Sequence, residues 1–414
     1  MRILEGKAAE RAVVKLEGRA SRLEDVAPQV RRVIRGIRKG GDKALVRYAT
    51  LWDGLEKGQS VRVSQQEVGQ AWKATPSATR DALKRAAANI RRFANWQMPS
   101  SWRKKITGGE VGQMVRPLAS VGCYVPGGRY PLPSTLLMTA IPAQAAGVER
   151  IVVVTPGSQI ATLAAASLLG ITEVYRFGGA QAIAVLAYGT ESIRRVDKIV
   201  GPGNAFVTAA KKLVSFDCAI DTLAGPTEAV VLSFKGNAEF LASDLVAQAE
   251  HDPDAVAVFV STSRTLAKDV TAAVKRLARG NAVAAKAVGR NACALVAATR
   301  EQAMEWVNRI APEHLTVDED SDLTAVCNAG SIFVGNYSPQ AAGDYAAGPN
   351  HVLPTAGAAR FRGGLSVADF VKVITVQKFM SEGLREIAPV VTKLAEAEGL
   401  RAHAASVRVR CGDA

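Results

Sequence analysis

Cysteine is scarce in this chain of 414 residues, and what there is lies scattered. The five cysteines, Cys123, Cys218, Cys293, Cys327 and Cys411, are odd in number, widely spaced and without a C-x-x-C pair. That argues against a disulfide framework and against a cysteine zinc site. A reducing cytoplasm is the default compartment. No apolar run approaches the length of a membrane span. The segment Met1 to Arg19 is charged throughout, which is not the form of a secretory signal. A strict G-x-G-x-x-G is missing, so any dinucleotide site departs from the standard fingerprint. Histidine is scarcer still, with four in the whole chain.

The length points to two or more domains. Hydrophobic residues at 48% and charged residues at 22% make a soluble globular balance. The net charge of +14 would suit nucleic acid, but the basic residues are dispersed and no recognition motif accompanies them. Neither nucleic acid nor membrane is an expected partner. The basic surface could still draw in an anionic cofactor.

The first hundred residues read as helical scaffold. Val26, Val30, Val33, Ile34 and Ile37 fall on one helical face, and Gly40-Gly41 ends that segment. Ser64 and Glu67 make a capping box, and a long helix runs from about Ala78 to Phe93. From Ile151 to Val214 short apolar strands alternate with alanine-rich helices. "RIVVVTPG", "EVYRFGG" and "DKIVGPGN" each read as a buried strand entering a glycine turn. This is the form of a parallel βαβ sheet. Its ligand crevice lies at the carboxyl ends of the strands, where glycines and free helix N-terminal amides can meet a pyrophosphate. The same glycines could equally be plain turns.

A second α/β unit follows. "EAVVLSF", "AVAVFVS" and "CALVAA" read as strands, and Ala238 to Glu250, Leu266 to Leu277 and Glu301 to Ile310 as helices. Gly330 to Gly364 reads as a long loop, the kind that carries function. A helix from Glu382 to about Leu400 precedes a short polar, basic tail.

His251, His314, His351 and His403 each have a carboxylate nearby in sequence. Histidines are more often structural or exposed than catalytic, and spacing alone tips the balance only modestly toward a site. Gln248 and His251 stand three apart at the end of a predicted helix, so both face one side. An amide oxygen and an imidazole nitrogen converging there suit zinc. Glu313 and His314 follow a proline at a helix-to-strand junction. A carboxylate beside an imidazole offers two bases of different pKa, suited to successive proton transfers.

At these residues the sequence resembles the histidinol dehydrogenase family over nearly its whole length. The stretches that carry the resemblance include "YVPGG", "FGGAQAIAVLAYGT", "KIVGPGN", "AGPTE", "SDLVAQAEHDP", "APEHL", "AGDYAAGPNHVLPT" and "AEGLRAH". The resemblance implies zinc ligands at Gln248, His251, Asp344 and His403, and a catalytic pair at Glu313 and His314. It implies substrate contacts at Thr227, His351 and Glu398, with the zinc ligands and His314 facing the substrate too. NAD contacts are implied at Tyr124, Gln181 and Asn204. The implied reaction is the four-electron oxidation of L-histidinol through L-histidinal to L-histidine, with one zinc per subunit and two NAD.

The implied fold is α/β. It has two incomplete Rossmann-like, aldehyde-dehydrogenase-like domains in a homodimer, with small terminal segments reaching across to the partner. The expected division is an arm at 1–20, a larger domain at 21–120 and 228–365, an NAD domain at 121–227, and a dimerisation segment at 366–414. Two departures from the family pattern stand out. Thr227 replaces the usual serine, and the loop after Gly128 differs. A related branch that oxidises sulfonated diols is the nearest alternative. Retention of the four zinc-ligand positions together with Glu398 favours the imidazole amino alcohol.

Overall fold

The computed structural model describes residues 1–19, 23–127, 131–157 and 159–412. The loop after Gly128, where the sequence leaves the family pattern, begins with residues 129 and 130, which fall outside them. No helix among the described residues is long and apolar enough to cross a membrane.

Two parallel sheets organise the chain. The five-stranded sheet runs Glu173–Tyr175, Arg150–Val154, Ser120–Tyr124, Lys198–Val200, Ala219–Ile220. Its central strands are apolar and buried on both faces, because helices cover both. The six-stranded sheet runs Arg2–Glu5, Ala292–Val296, Val256–Ser261, Glu228–Leu232, His314–Val317, Ser331–Val334. A third, antiparallel sheet joins Trp102–Ile106, Gly109–Pro117 and Val371–Phe379.

The helical first hundred residues do not go with the six-stranded sheet. Helix Ala27–Trp52 packs on Gly179–Tyr188 and Ala205–Val214, Gln65–Ala74 on Ile160–Leu168, and Ser77–Trp96 on Pro133–Ala146. Val30, Val33 and Ile37 share one core with Val152, Val154 and Phe177 of the five-stranded sheet. The expected apolar face is thus present, but its partner is the other domain. Nor does the first helix stop at Gly40-Gly41. Gly41 adopts φ 48°, ψ −134°, which kinks the helix, and the chain then resumes to Trp52. Glu191 restarts it by accepting the Asp42 amide at 2.7 Å. The Ser64–Glu67 capping box forms as read.

The first twenty residues were expected to reach out. Arg2–Glu5 instead pairs in parallel with Ala292–Val296 of its own chain. Helix Gly6–Glu17 packs on Arg300–Ile310, where Arg309 binds Glu10 at 2.6 Å and Glu17 at 3.1 Å. Backbone pairing and ion pairs satisfy this segment locally. The glycine-rich stretch after Gly330 is also more ordered than a loop. It holds strand Ser331–Val334 and helix Gln340–Tyr345. The polar tail forms a second terminal helix, Arg401–Cys411, folded against Ser381–Ala397.

Candidate active site

The catalytic candidates gather at the amino ends of the six-stranded sheet. Thr227 immediately precedes strand Glu228–Leu232, and Glu313 precedes His314–Val317. Gln248 sits in the last turn of helix Ala238–Ala249, with His251 in the turn beyond it. Asp344 comes from Gln340–Tyr345, inside the stretch expected to be loop. A cavity of about 330 Å³ is lined by all of these together with His351 and Asn204.

Within it, Glu313 is 7% exposed. Thr227 donates its hydroxyl to Glu313 Oε2 at 2.7 Å and stands 3.2 Å from Gln248 Oε1. The Glu228 amide donates to the same carboxylate oxygen at 3.0 Å. Burial pushes the Glu313 carboxyl up to about 7, against the pull of His314 and these donors. His314 lies against Phe333, ring centroids 5.8 Å apart. Its Nε2 is 3.2 Å from Asp344 Oδ1, and its Nδ1 is 3.7 Å from Glu313 Oε2. That Nδ1 is buried with no hydrogen-bond partner. Burial works against charge on His314, but the Glu313 and Asp344 carboxylates outweigh it and raise its pKa. Burial pushes Asp344 the other way from what is found, because His314, His351 and Gln248 hold it below the usual carboxylate range. Gln248 Nε2 donates to Asp344 Oδ2 at 2.9 Å. The His351 ring donates from Nδ1 to the Asp344 carbonyl at 2.7 Å, and burial lowers its pKa.

Gln248, His251 and Asp344 therefore share one cavity, but His403 and Glu398 do not join them. His403 is exposed on Arg401–Cys411, and Glu398 is exposed at the end of the preceding helix. Among the described residues no three His, Cys, Asp or Glu side chains form a metal-holding group within one chain. An amide, a carboxylate and an imidazole suit zinc chemically, one donor short of its usual four. The surroundings favour a cation too. Helices Ala238–Ala249 and Arg300–Ile310 both end toward this edge, so their negative dipole ends face it.

The cofactor candidates lie at the opposite kind of edge, the carboxyl ends of the five-stranded sheet. Tyr124, Gln181 and Asn204 line a cavity of about 300 Å³. Asn204 lines both cavities. The helix amides here are not free, as the sequence had suggested. The Gly179 amide donates to Tyr124 Oη at 3.3 Å, and Asn204 Oδ1 caps Phe206 at 3.0 Å and Val207 at 3.1 Å. Burial pushes the Tyr124 phenol up to about 12.

Three residues here escaped sequence reasoning. Trp52 and Asp53, at the end of a helix read as scaffold, line the cofactor cavity. Asp53 accepts from Gln181 Nε2 at 2.9 Å. Asp244 stands one helical turn before Gln248. Burial pushes it up to about 6, with Asp344 adding to the rise and the Gln340 amide opposing it. The one available signal was its i,i+4 spacing to Gln248.

Two parallel sheets, a buried carboxylate–imidazole pair on one and a glycine-turn cavity on the other, define an α/β enzyme with acid–base chemistry between its sheets. Residues 16–411 match the sequence profile described as histidinol dehydrogenase. The chain belongs to the histidinol dehydrogenase family and is an oxidoreductase. It is 48% identical over 405 residues to the histidinol dehydrogenase of Methanothermobacter thermautotrophicus, covering 94% of this chain and 95% of that one. It is 43% identical over 403 residues to that of Bacillus thuringiensis, covering 94% of each. The crystal structure of histidinol dehydrogenase from Elizabethkingia anophelis superposes with a TM-score of 0.94 at 35% identity, covering 99% of this chain and 98% of that one.

Proposed function

We propose that this chain oxidises L-histidinol through L-histidinal to L-histidine, the last steps of histidine biosynthesis, as a zinc-dependent cytoplasmic homodimer using two NAD. The observation that carries the reading is the buried Glu313–His314 pair, wired to Thr227 on one side and Asp344 on the other. Zinc would hold the nitrogens of the substrate, with Gln248, His251, Asp344 and His403 as its ligands, and NAD would accept the hydride of each oxidation.

The residues divide the proton work. The Asp344 carboxylate can only accept, so it keeps the His314 proton on Nε2 and leaves Nδ1 as the basic atom. His314 takes the hydroxyl proton in the first oxidation. Glu313, with a pKa of about 7, is half ionised near neutrality and takes a proton from the water that adds to the aldehyde. His314 then takes the proton of the hydrate in the second oxidation. Thr227, His351 and Glu398 contact the substrate, and Tyr124, Gln181 and Asn204 the cofactor.

The exposed position of His403 supports a shared site. An apolar groove of about 580 Å³ adjoins His251, with Leu83, Leu137 and Tyr345 in its walls. The terminal helix pair exposes Val390, Leu394 and Val409. A second copy's terminal pair laid in that groove would bury both surfaces and bring its His403 beside His251. Five free cysteines agree with a reducing compartment.

The deciding experiment counts NADH formed per histidinol consumed. Two per molecule, with little free aldehyde, is expected. One per molecule with aldehyde accumulating, or activity on sulfonated diols alone, would defeat the reading.

A further inference from the structure

The cavity at the carboxyl edge of the five-stranded sheet is built unlike a phosphate cradle. Its three obvious anion donors are already used. The Gly179 amide is taken by Tyr124, and the amides of Phe206 and Val207 by Asn204. The amide of Gly178, at the start of helix Gly179–Tyr188, faces the Asp53 carboxylate. The protein thus places its own anion where a dinucleotide pyrophosphate commonly sits. No lysine or arginine is among the described residues lining the cavity, although the chain carries a net +14. Among the described lining residues Asp53 is the one charged side chain.

An anion with no cation beside it does not welcome a second anion. It does welcome hydroxyl donors. Gln181 Nε2 donates to Asp53 Oδ2 at 2.9 Å, and the Gly178 amide favours its ionised form. A carboxylate has about four acceptor directions, so others stay open toward the cavity it lines. We infer that Asp53 is a specificity-determining residue: it accepts the hydroxyls of an unphosphorylated adenosine ribose and repels a 2′-phosphate, and so selects NAD over NADP. The general chemistry is that of an acidic group on a ribose 2′-hydroxyl, where a 2′-phosphate would call for an arginine. The inference rests on reading this cavity as the cofactor's. Gln181 then contributes partly through Asp53, whose carboxylate it holds in place.

The test is a binding titration of NADH and of NADPH onto the purified enzyme, read by energy transfer from tryptophan, with melting temperature recorded alongside. The wild type should hold NADH at least about tenfold tighter than NADPH. Asp53→Asn should weaken NADH roughly tenfold and move the NADPH-to-NADH ratio of Kd values toward one. Asp53→Ser, which opens space as well as removing charge, should carry the ratio further the same way. If both variants weaken NADH but leave the ratio where it was, Asp53 merely ties the first helix to the glycine turn and the inference is overturned. If Gln181→Ala and Tyr124→Phe also leave NADH binding untouched, the cavity is not the cofactor's. The failure then belongs to the reading of the site, not to the discrimination argument.

Discussion

The two sheets present opposite edges to the chemistry between them. At the five-stranded sheet the candidate cofactor residues stand at strand carboxyl ends and helix amino ends, as in open α/β sheets generally. At the six-stranded sheet they stand at strand amino ends and helix carboxyl ends. The helix dipoles therefore differ in sign, positive toward the cofactor cavity and negative toward the catalytic one. Titratable groups follow the same split. The catalytic edge gathers Glu313, His314, Asp344 and Asp244, each displaced from its ordinary pKa. The cofactor edge is mostly neutral and is braced underneath by a closed ion pair. Lys211 Nζ lies 2.5 Å from Asp221 Oδ1, with both side chains buried, and Asp221 accepts the Gly201 amide at 2.7 Å. One edge holds charge ready to move, and the other, Asp53 apart, holds charge already cancelled.

The largest break in this comparison should come from the movable charge. His314→Ala should lower kcat by about 10²–10⁴-fold, since it removes the base proposed for both oxidations. Glu313→Gln should leave the first hydride transfer nearly intact and slow the second, read by single-turnover kinetics. It should also stabilise the protein at alkaline pH. The folded pKa of Glu313 is raised to about 7, so its wild-type contribution is greatest below the usual carboxylate range and is lost as pH rises through 7. Above about pH 8 the metal-free variant should exceed wild type by up to a few kcal/mol, and below about pH 4 that pH-dependent gain should vanish. Denaturant melts at both pH values check this. A gap that does not change with pH would remove the buried ionisation.

The cancelled charge should behave in the opposite way. Lys211→Met leaves Asp221 buried and alone, and should cost about 3–5 kcal/mol of stability. The double variant Lys211→Met/Asp221→Leu should recover much of that loss, because neither charge remains to be solvated. If the double variant is no better than the single, the pair is not the closed unit described here.

The sequence made the two edges unequally legible. Buried parallel strands such as "RIVVV" and "EAVVL" are apolar after their first residue, so their type and order could be read. The amino-edge site could be read only because Glu313 and His314 sit where a helix hands over to a strand after Pro312. The antiparallel sheet left no signal. Its outer strand Trp102–Ile106 is exposed along its whole length and charged at its centre, so it shows no alternation. Asp53 is one of 38 acidic residues, and only the packing of its helix on Gly179–Tyr188 brings it to the cofactor cavity. The terminal helix Arg401–Cys411 has a single buried residue, Ala404, so its periodicity is nearly blank.

The proposed homodimer supplies a test that joins the two edges across a dimer. Glu313→Gln and His403→Asn chains are each expected to be inactive for the complete reaction. Mixed dimers should contain one site with both defects and one with neither. Random re-pairing makes about half of the dimers mixed, so roughly a quarter of wild-type activity should return. No recovery, with mixed dimers demonstrated, would mean that His403 serves its own chain.

The smallest expected effect concerns Thr227, where the chain departs from the serine usual in its family. Its hydroxyl is one of two donors on the ionised Glu313 oxygen, at 2.7 Å, the other being the Glu228 amide. Donation to the charged form lowers a carboxyl pKa. Thr227→Val keeps the shape and removes the donor, so Glu313 should ionise later. The acid limb of the pH profile for the second oxidation should move up by less than about one unit, since the Glu228 amide remains. Thr227→Ser keeps the donor and loses one methyl group, so the limb should stay in place. A downward shift in the serine variant, with no shift in valine, would show that the methyl group, by excluding water from Glu313, sets the pKa instead of the hydrogen bond.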